Sequence, residues 1–240
     1  MKNKMMLGMV AVLFLALQAL PGICAEERTP GPVDTPRARE IWAQAPQTPE
    51  ELLRVIKVFM DNPQMNGFDI GEKIFGLARE AWGPVASVYA NGPGKQRIDY
   101  VPFLRGGGQK GPPYKPILLP TPYYFGGEGV ITLAENDELM RLPIAGFKET
   151  FCLTPTLTRE ILGEPSSISL SNKGGLSLTY RITRGHEKYG IFISYYDPSK
   201  PAKGISLVTS TTTNQQEFLE IIEDRKNFCA ISVSIGRSNY

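Results

Sequence analysis

The chain has 240 residues, with 26 Lys and Arg against 24 Asp and Glu, a formal charge of +2 that includes Lys2 and Lys4. Without a basic excess there is no electrostatic footprint for nucleic acid, and beyond the N-terminus no apolar run reaches bilayer-spanning length. One histidine and three cysteines leave little material for imidazole- or thiolate-based metal and catalytic devices.

The N-terminus reads as an export signal. Lys2 and Lys4 precede the apolar run Leu7 to Leu20, and "PGICA" ends in a small residue before Glu26. We expect residues 1–25 to be a signal peptide cleaved near Ala25, which sends the chain to the periplasm or outside the cell. Ile23 is a poor residue to precede an acylated Cys24, so lipid anchoring there is disfavoured. Residues 26–47 are rich in proline and charge and read as a flexible tether, with Trp42 as a local docking point.

A first α+β unit is expected over 48–149. "TPEELLRVIKVFMDNP" predicts a helix: Thr48 caps, Pro49 takes the first position, Glu51 completes a capping box, and Leu52, Val55, Ile56 and Phe59 form one face. A second helix is predicted over about 70–81, capped by Asp69 and stopped by Gly83-Pro84. A hairpin follows with its turn at Asn91-Gly92-Pro93-Gly94. Residues 105–129 are too rich in glycine and proline for a central strand or helix and read as an inserted loop, with a short strand at 117–119. Strands resume at 130–133 and 139–144.

The second unit spans 150–240. Thr154 and Pro155 start a short helix that Gly163-Glu164-Pro165 ends. Leu176, Leu178, Tyr180 and Ile182 alternate with polar residues, as do Ile191, Ile193 and Tyr195, then Ile205 and Leu207. This period of two predicts an antiparallel sheet with one face buried, its hairpins closed at 184–189 and 197–203. A helix with Phe218, Ile221 and Ile222 inward and a final strand carrying Cys229, Ile231, Val233 and Ile235 on one side complete the chain. The fold class is α+β, with helices packed on one face of an antiparallel sheet. In an oxidising compartment the even pair Cys152 and Cys229 favours a disulfide, contributing about 4 kcal/mol on the chain-entropy model.

Arg79-Glu80 and Arg159-Glu160 each precede an apolar pair, a glycine and a nearby proline, which suggests two tandem helix–hairpin–strand units; two unrelated helix stops are an equal alternative. The order of helix, Leu162-Gly163-Glu164-Pro165, hairpin and third strand resembles the α/β unit of the β-lactamase inhibitor protein and of small outer-membrane assembly lipoproteins. The match covers about 152–212 well and 68–144 loosely, and only Gly163 and Pro165 coincide with scaffold positions. The resemblance implies exported, non-catalytic proteins that bind other proteins through an exposed sheet face and loops.

For chemistry the residues offer little. His186 sits in a predicted turn, no Gly-x-Ser-x-Gly elbow is present, and Glu135, Asp137 and Glu138 read as a solvated acidic turn rather than a cation site. "RGGGQKGPP" lacks phosphate-loop spacing, and no cofactor is implied. Aromatic residues stand out instead: Tyr114, Tyr123, Tyr124 and Phe125 in the long loop, and Phe192 and Tyr196 on the sheet face opposite Ile191 and Ile193. Such residues anchor protein interfaces. The expected function is an exported binding protein that inhibits or neutralises an envelope or secreted protein, of inhibitor or toxin-immunity type. An envelope-assembly accessory and a carboxylate-dependent hydrolase are the alternatives.

Overall fold

The computed structural model describes residues 36–90, 96–102, 121–125, 131–134, 136–197, 199, 206–209 and 215–237. Helices α1 (Pro36–Ala43), α2 (Pro49–Asp61) and α3 (Gly67–Phe75) come first, then a 3₁₀ turn at Arg79–Ala81. Strands β1 (Trp82–Ala90), β2 (Gln96–Pro102), β3 (Tyr123–Phe125), β4 (Ile131–Ala134) and β5 (Leu139–Phe147) follow. The second half runs α4 (Pro155–Leu162), β6 (Ser167–Leu170), β7 (Gly175–Arg184), β8 (Glu187–Tyr196), β9 (Ser206–Thr209), α5 (Gln215–Asp224) and β10 (Ala230–Arg237). The strands form one ten-stranded antiparallel sheet in the order β1-β2-β4-β5-β10-β8-β7-β6-β9, with β3 beside β5. The chain is therefore mixed α+β, with the sheet dominant.

Local sequence explains the helix ends. In α2, Thr48 and Glu51 make the expected capping box, with Pro49 in the first turn. Asn66 and Asp69 make another at α3, so this helix begins three residues earlier than the Asp69 cap predicts. It also ends earlier, at Gly76, whose φ of 64° is a left-handed cap. Gly83 and Pro84 lie inside β1 rather than past a helix end. The Arg79-Glu80 stretch is thus a single 3₁₀ turn, whereas Arg159-Glu160 belongs to the eight-residue α4. Residues 36–43 of the proline-rich segment are helical, and Trp42 packs against the core.

We expected β9 to hairpin back onto β8, but it pairs with β6 at the edge, and the last strand takes the place beside β8. Length and the buried row decide this. β10 lies between β8 and β5 with Val233 opposite Ile193 and Ile144, and Ile235 opposite Ile191 and Leu142. These six side chains are all buried. Across β7 the rows continue through Leu178 and Tyr180. A strand with that row stabilises the fold most at the centre, whereas the four-residue β9 is short enough to suit an edge.

The helices meet the sheet through its buried side chains. Tyr195 and Thr158 of α4 share a hydrogen bond of 2.7 Å, and the Tyr180 hydroxyl donates to the Gly163 carbonyl at 3.2 Å. Phe59 of α2 packs edge-on against Tyr189. Buried Arg184 donates to the Asn62 and Met65 carbonyls just past α2, at 2.6 and 2.5 Å, with its guanidinium 3.9 Å from the centre of the Phe59 ring. Cys152 and Cys229 form the expected disulfide, and Ala230 N–H donates to Leu153 O beside it. This bond ties the start of β10 to the segment before α4 and is compatible with an extracytoplasmic location. No helix among the described residues is long and apolar enough to cross a membrane.

Burial raises the Tyr189 phenol to about 12, and raises those of Tyr123, Tyr180 and Tyr195 further. Unfolded phenols ionise near 10.0, so folding holds protons that the unfolded chain loses. This stabilisation is complete below about pH 10 and is lost as pH rises through the folded values. We expect a cooperative alkaline unfolding above about pH 10, accompanied by a step in tyrosinate absorbance. Ionisation of these four phenols near 10 with the fold intact would contradict the packing described.

Candidate functional site

Alternation gives the sheet a second face, opposite the core. Its rows are set by the same register. Ser177 of β7 pairs with Ser194 of β8, Ser194 with Ser232 of β10, and Ser232 with Ala145 of β5; Ser169 of β6 extends the row. The Ser177 and Ser194 hydroxyls are 3.3 Å apart. The next row runs Thr179, Phe192, Ser234 and Pro143, and the one after it Arg181, Gly190, Gly236 and Arg141. Small hydroxyl and glycine residues thus floor the face, leaving its larger side chains to stand above it.

Three of the aromatic residues singled out in the sequence come to this face. Tyr196 is 47% exposed at the end of β8, and Phe192 is half-buried two pleats away. Tyr124 is 51% exposed and reaches the face through a bulge. Tyr123 pairs with Phe147 and Phe125 with Ile144, so β5 carries an extra residue between the two pairs. Gly146 sits there with φ of 88°, and a Cβ on it would lie 2.9 Å from Tyr124 Cδ2. Both the backbone angle and the ring's approach call for glycine.

Tyr123 goes the other way, because neighbouring strand residues point to opposite faces. It is wholly buried, packs against Phe75 and Phe151, and donates its hydroxyl to the Ile74 carbonyl of α3. It is a core residue and not part of an exposed cluster. Tyr114 and the Phe125 side chain lie outside the described residues, as do the predicted strand at 117–119, the turn at 91–94 and the Phe218 side chain.

Comparison with family models, curated proteins and solved structures finds no match to this chain. The residues of the face must therefore speak for themselves.

Ile231 departs from the period of two. Period two assigns Ile231 to the buried side with Val233 and Ile235, yet Ile231 is 49% exposed. A register shift between Ala230 and Ser232 opposite β8 explains it: Ala230 is buried opposite Tyr195, Ser232 pairs with Ser194, and Ile231 is the extra residue. Nothing in "FCAISVSI" marks that bulge. Ile231 follows the pinned Cys229 and lies on the strand beside Tyr196.

Polar groups elsewhere are engaged locally. Asp99, buried on the same face, accepts from Thr132 Oγ1 at 2.7 Å and from Arg97 Nε at 3.3 Å. At one end of the sheet Glu138 accepts from Tyr189 and pairs with Arg237, and Asp137 pairs with Arg79. His186 is exposed in the β7–β8 turn. Among the described residues no three His, Cys, Asp or Glu side chains gather as a metal site would require.

The two adjacent tyrosines give a direct check. Tyr123→Ala should destabilise the chain by about 3–5 kcal/mol in urea unfolding, whereas Tyr124→Ala should change it by less than about 0.5 kcal/mol. Equal losses at both positions would contradict their assignment to opposite sides of β3.

Proposed function

We propose that this chain is an exported binding protein that inhibits or neutralises a protein partner in the periplasm, and that the hydroxyl-floored face of its sheet is the docking surface. In this reading the helices gather over one face of the sheet. Support comes from the contacts of Tyr180, Tyr189 and Tyr195 with α2, α4 and the segment after α4, all made by side chains on the core side. The opposite face is then left for a partner.

One observation carries the proposal. Tyr124, Tyr196 and Ile231 are three large apolar side chains about half exposed: Tyr196 shares a face of β8 with Phe192, Ile231 is in the bulge next to Ser232, and Tyr124 lies against Gly146 of β5. Exposed apolar groups scattered singly need no explanation, but grouped on a flat, small-residue floor they match the anchors of protein interfaces. The floor matters equally, because Ser, Thr and Gly are small enough to let another backbone approach closely, and the Ser and Thr hydroxyls can hydrogen-bond to it. The export signal at residues 1–25 and the disulfide fit the proposed compartment.

Photo-crosslinking tests this. A crosslinking residue introduced at Tyr196 or Ile231 should capture one defined protein from an envelope extract, while the same group at Val58, an exposed apolar position on α2, should not. The double variant Tyr196→Ala, Ile231→Ser should weaken that capture at least about tenfold, the loss expected for two interface anchors. Capture from Val58 alone would move the docking surface to the helices and refute the assignment.

A further inference from the structure

The strand that closes the sheet is covalently held at its first end. Cys229 comes directly before β10 and is bonded to Cys152, in the segment before α4. The two halves of this bond differ in access. Cys152 is half-buried between the buried Phe151 and Leu153, whereas Cys229 is exposed. An incoming thiolate therefore meets the Cys229 sulfur first.

The bond holds the part of the strand with the least other support. The described pairs with β5 begin at Ser232, opposite Ala145, and run to Gly236. Before Ser232, the pairing is on the β8 side, through Ala230 opposite Tyr195, and the Ala230 N–H donates to Leu153 O at 2.9 Å. The register pairs Ile231 with no residue of β8 or β5. From Ser232 onward, by contrast, the buried Val233 and Ile235 fix the strand between both neighbours. Strand ends open locally at far less cost than the whole fold. The other half of the bond reaches the second bulge. Phe151, next to Cys152, stacks on Phe147 at 5.4 Å, and Phe147 follows Gly146, against which Tyr124 lies.

We propose that the Cys152–Cys229 disulfide is a thiol-operated clasp on the docking surface: a dithiol reductant opens it, the Cys229–Ile231 end of β10 loosens, and Ile231 withdraws while Val233 and Ile235 keep the sheet closed. The assignment rests on the docking reading above and adds its control. The chemistry is thiol–disulfide exchange, to which exposed disulfides are the most open. A thiolate of the reductant attacks Cys229 Sγ, the bond to Cys152 breaks, and Cys152 leaves as a thiolate that takes up a proton. The reductant's second thiol loses its proton and attacks the mixed disulfide, and Cys229 leaves and is protonated in turn. The protein gains the electron pair and the two protons that the dithiol loses on becoming a disulfide.

The test uses the purified, isotope-labelled chain from Glu26 onward, with dithiothreitol as the dithiol under native conditions. Both cysteines should become open to alkylation while the cross-strand contacts between Val233 and Ile193 persist. Hydrogen exchange at the Ala230 amide should quicken at least about tenfold. A crosslinking residue at Tyr196 should capture its partner severalfold less from the reduced chain, freed of dithiothreitol before the extract is added. Reoxidation should restore capture. The double variant Cys152→Ser, Cys229→Ser should match the reduced chain and ignore dithiothreitol. Should it fail to fold, the wild-type chain reduced after folding carries the test. Thiols that appear only as the Val233–Ile193 contacts are lost, an Ala230 amide unchanged on reduction, or equal capture from oxidised and reduced chains would overturn the proposal. Equal capture leaves the docking reading intact. No capture from the oxidised chain removes the docking reading itself, and the clasp's role with it.

Discussion

The structure depends on the insertion of the final strand between β5 and β8. Val233 and Ile235 join the apolar rows of the sheet's first half to those of its second, through Ile144 and Leu142 on one side and Ile193 and Ile191 on the other. Without them the sheet would end in two apolar edges, each a template for aggregation. The disulfide at Cys229 and the Ala230–Leu153 hydrogen bond hold the strand's first residue, and the bulge at Ile231 then sets which side chains turn inward. Such a long-range closure is slow to form, because the strand must wait for both of its neighbours.

The same register makes the second face. Because side chains alternate from Ser232 onward, the register that places Val233 opposite Ile193 also places Ser232 beside Ser194 and Gly236 beside Gly190. A slip of one residue would send serines into the core and valine and isoleucine to water. The buried face specifies the arrangement, and the hydroxyl and glycine floor comes with it. Where the alternation is broken, at Gly146 and at Ile231, a large apolar side chain is delivered to the surface. Bulges often re-aim a side chain beside a functional site, and two of them here act on the same face.

Much of this was legible from the sequence, and the exceptions have physical causes. Capping boxes and alternation are local, so the start of α2, the start of α4 and the inward rows of β7 and β8 could be read directly. The Cys152–Cys229 pairing followed from an even count in an oxidising compartment. What failed was non-local or depended on one backbone angle. Strand order requires comparing β9 with β10 for the central place, which hairpin reasoning does not do. The early end of α3 turned on Gly76 adopting a left-handed conformation, while Gly83-Pro84 offered a more familiar stop. For the candidate face, Phe192 and Tyr196 were read from period two and Tyr124 from loop composition. Its neighbour Tyr123 could not be told apart from it without knowing which side of β3 faces α3.

The account is tested most directly by hydroxyl-radical footprinting of the chain, alone and with the envelope protein that crosslinking from Tyr196 or Ile231 captures. It predicts rapid modification of Tyr124, Tyr196 and Ile231 in the free chain, protection of all three when the partner is added, and no modification of Tyr123, Tyr180 or Tyr195 in either state. Modification of the buried tyrosines in the free chain, or unchanged modification of the three exposed residues in the complex, would contradict it.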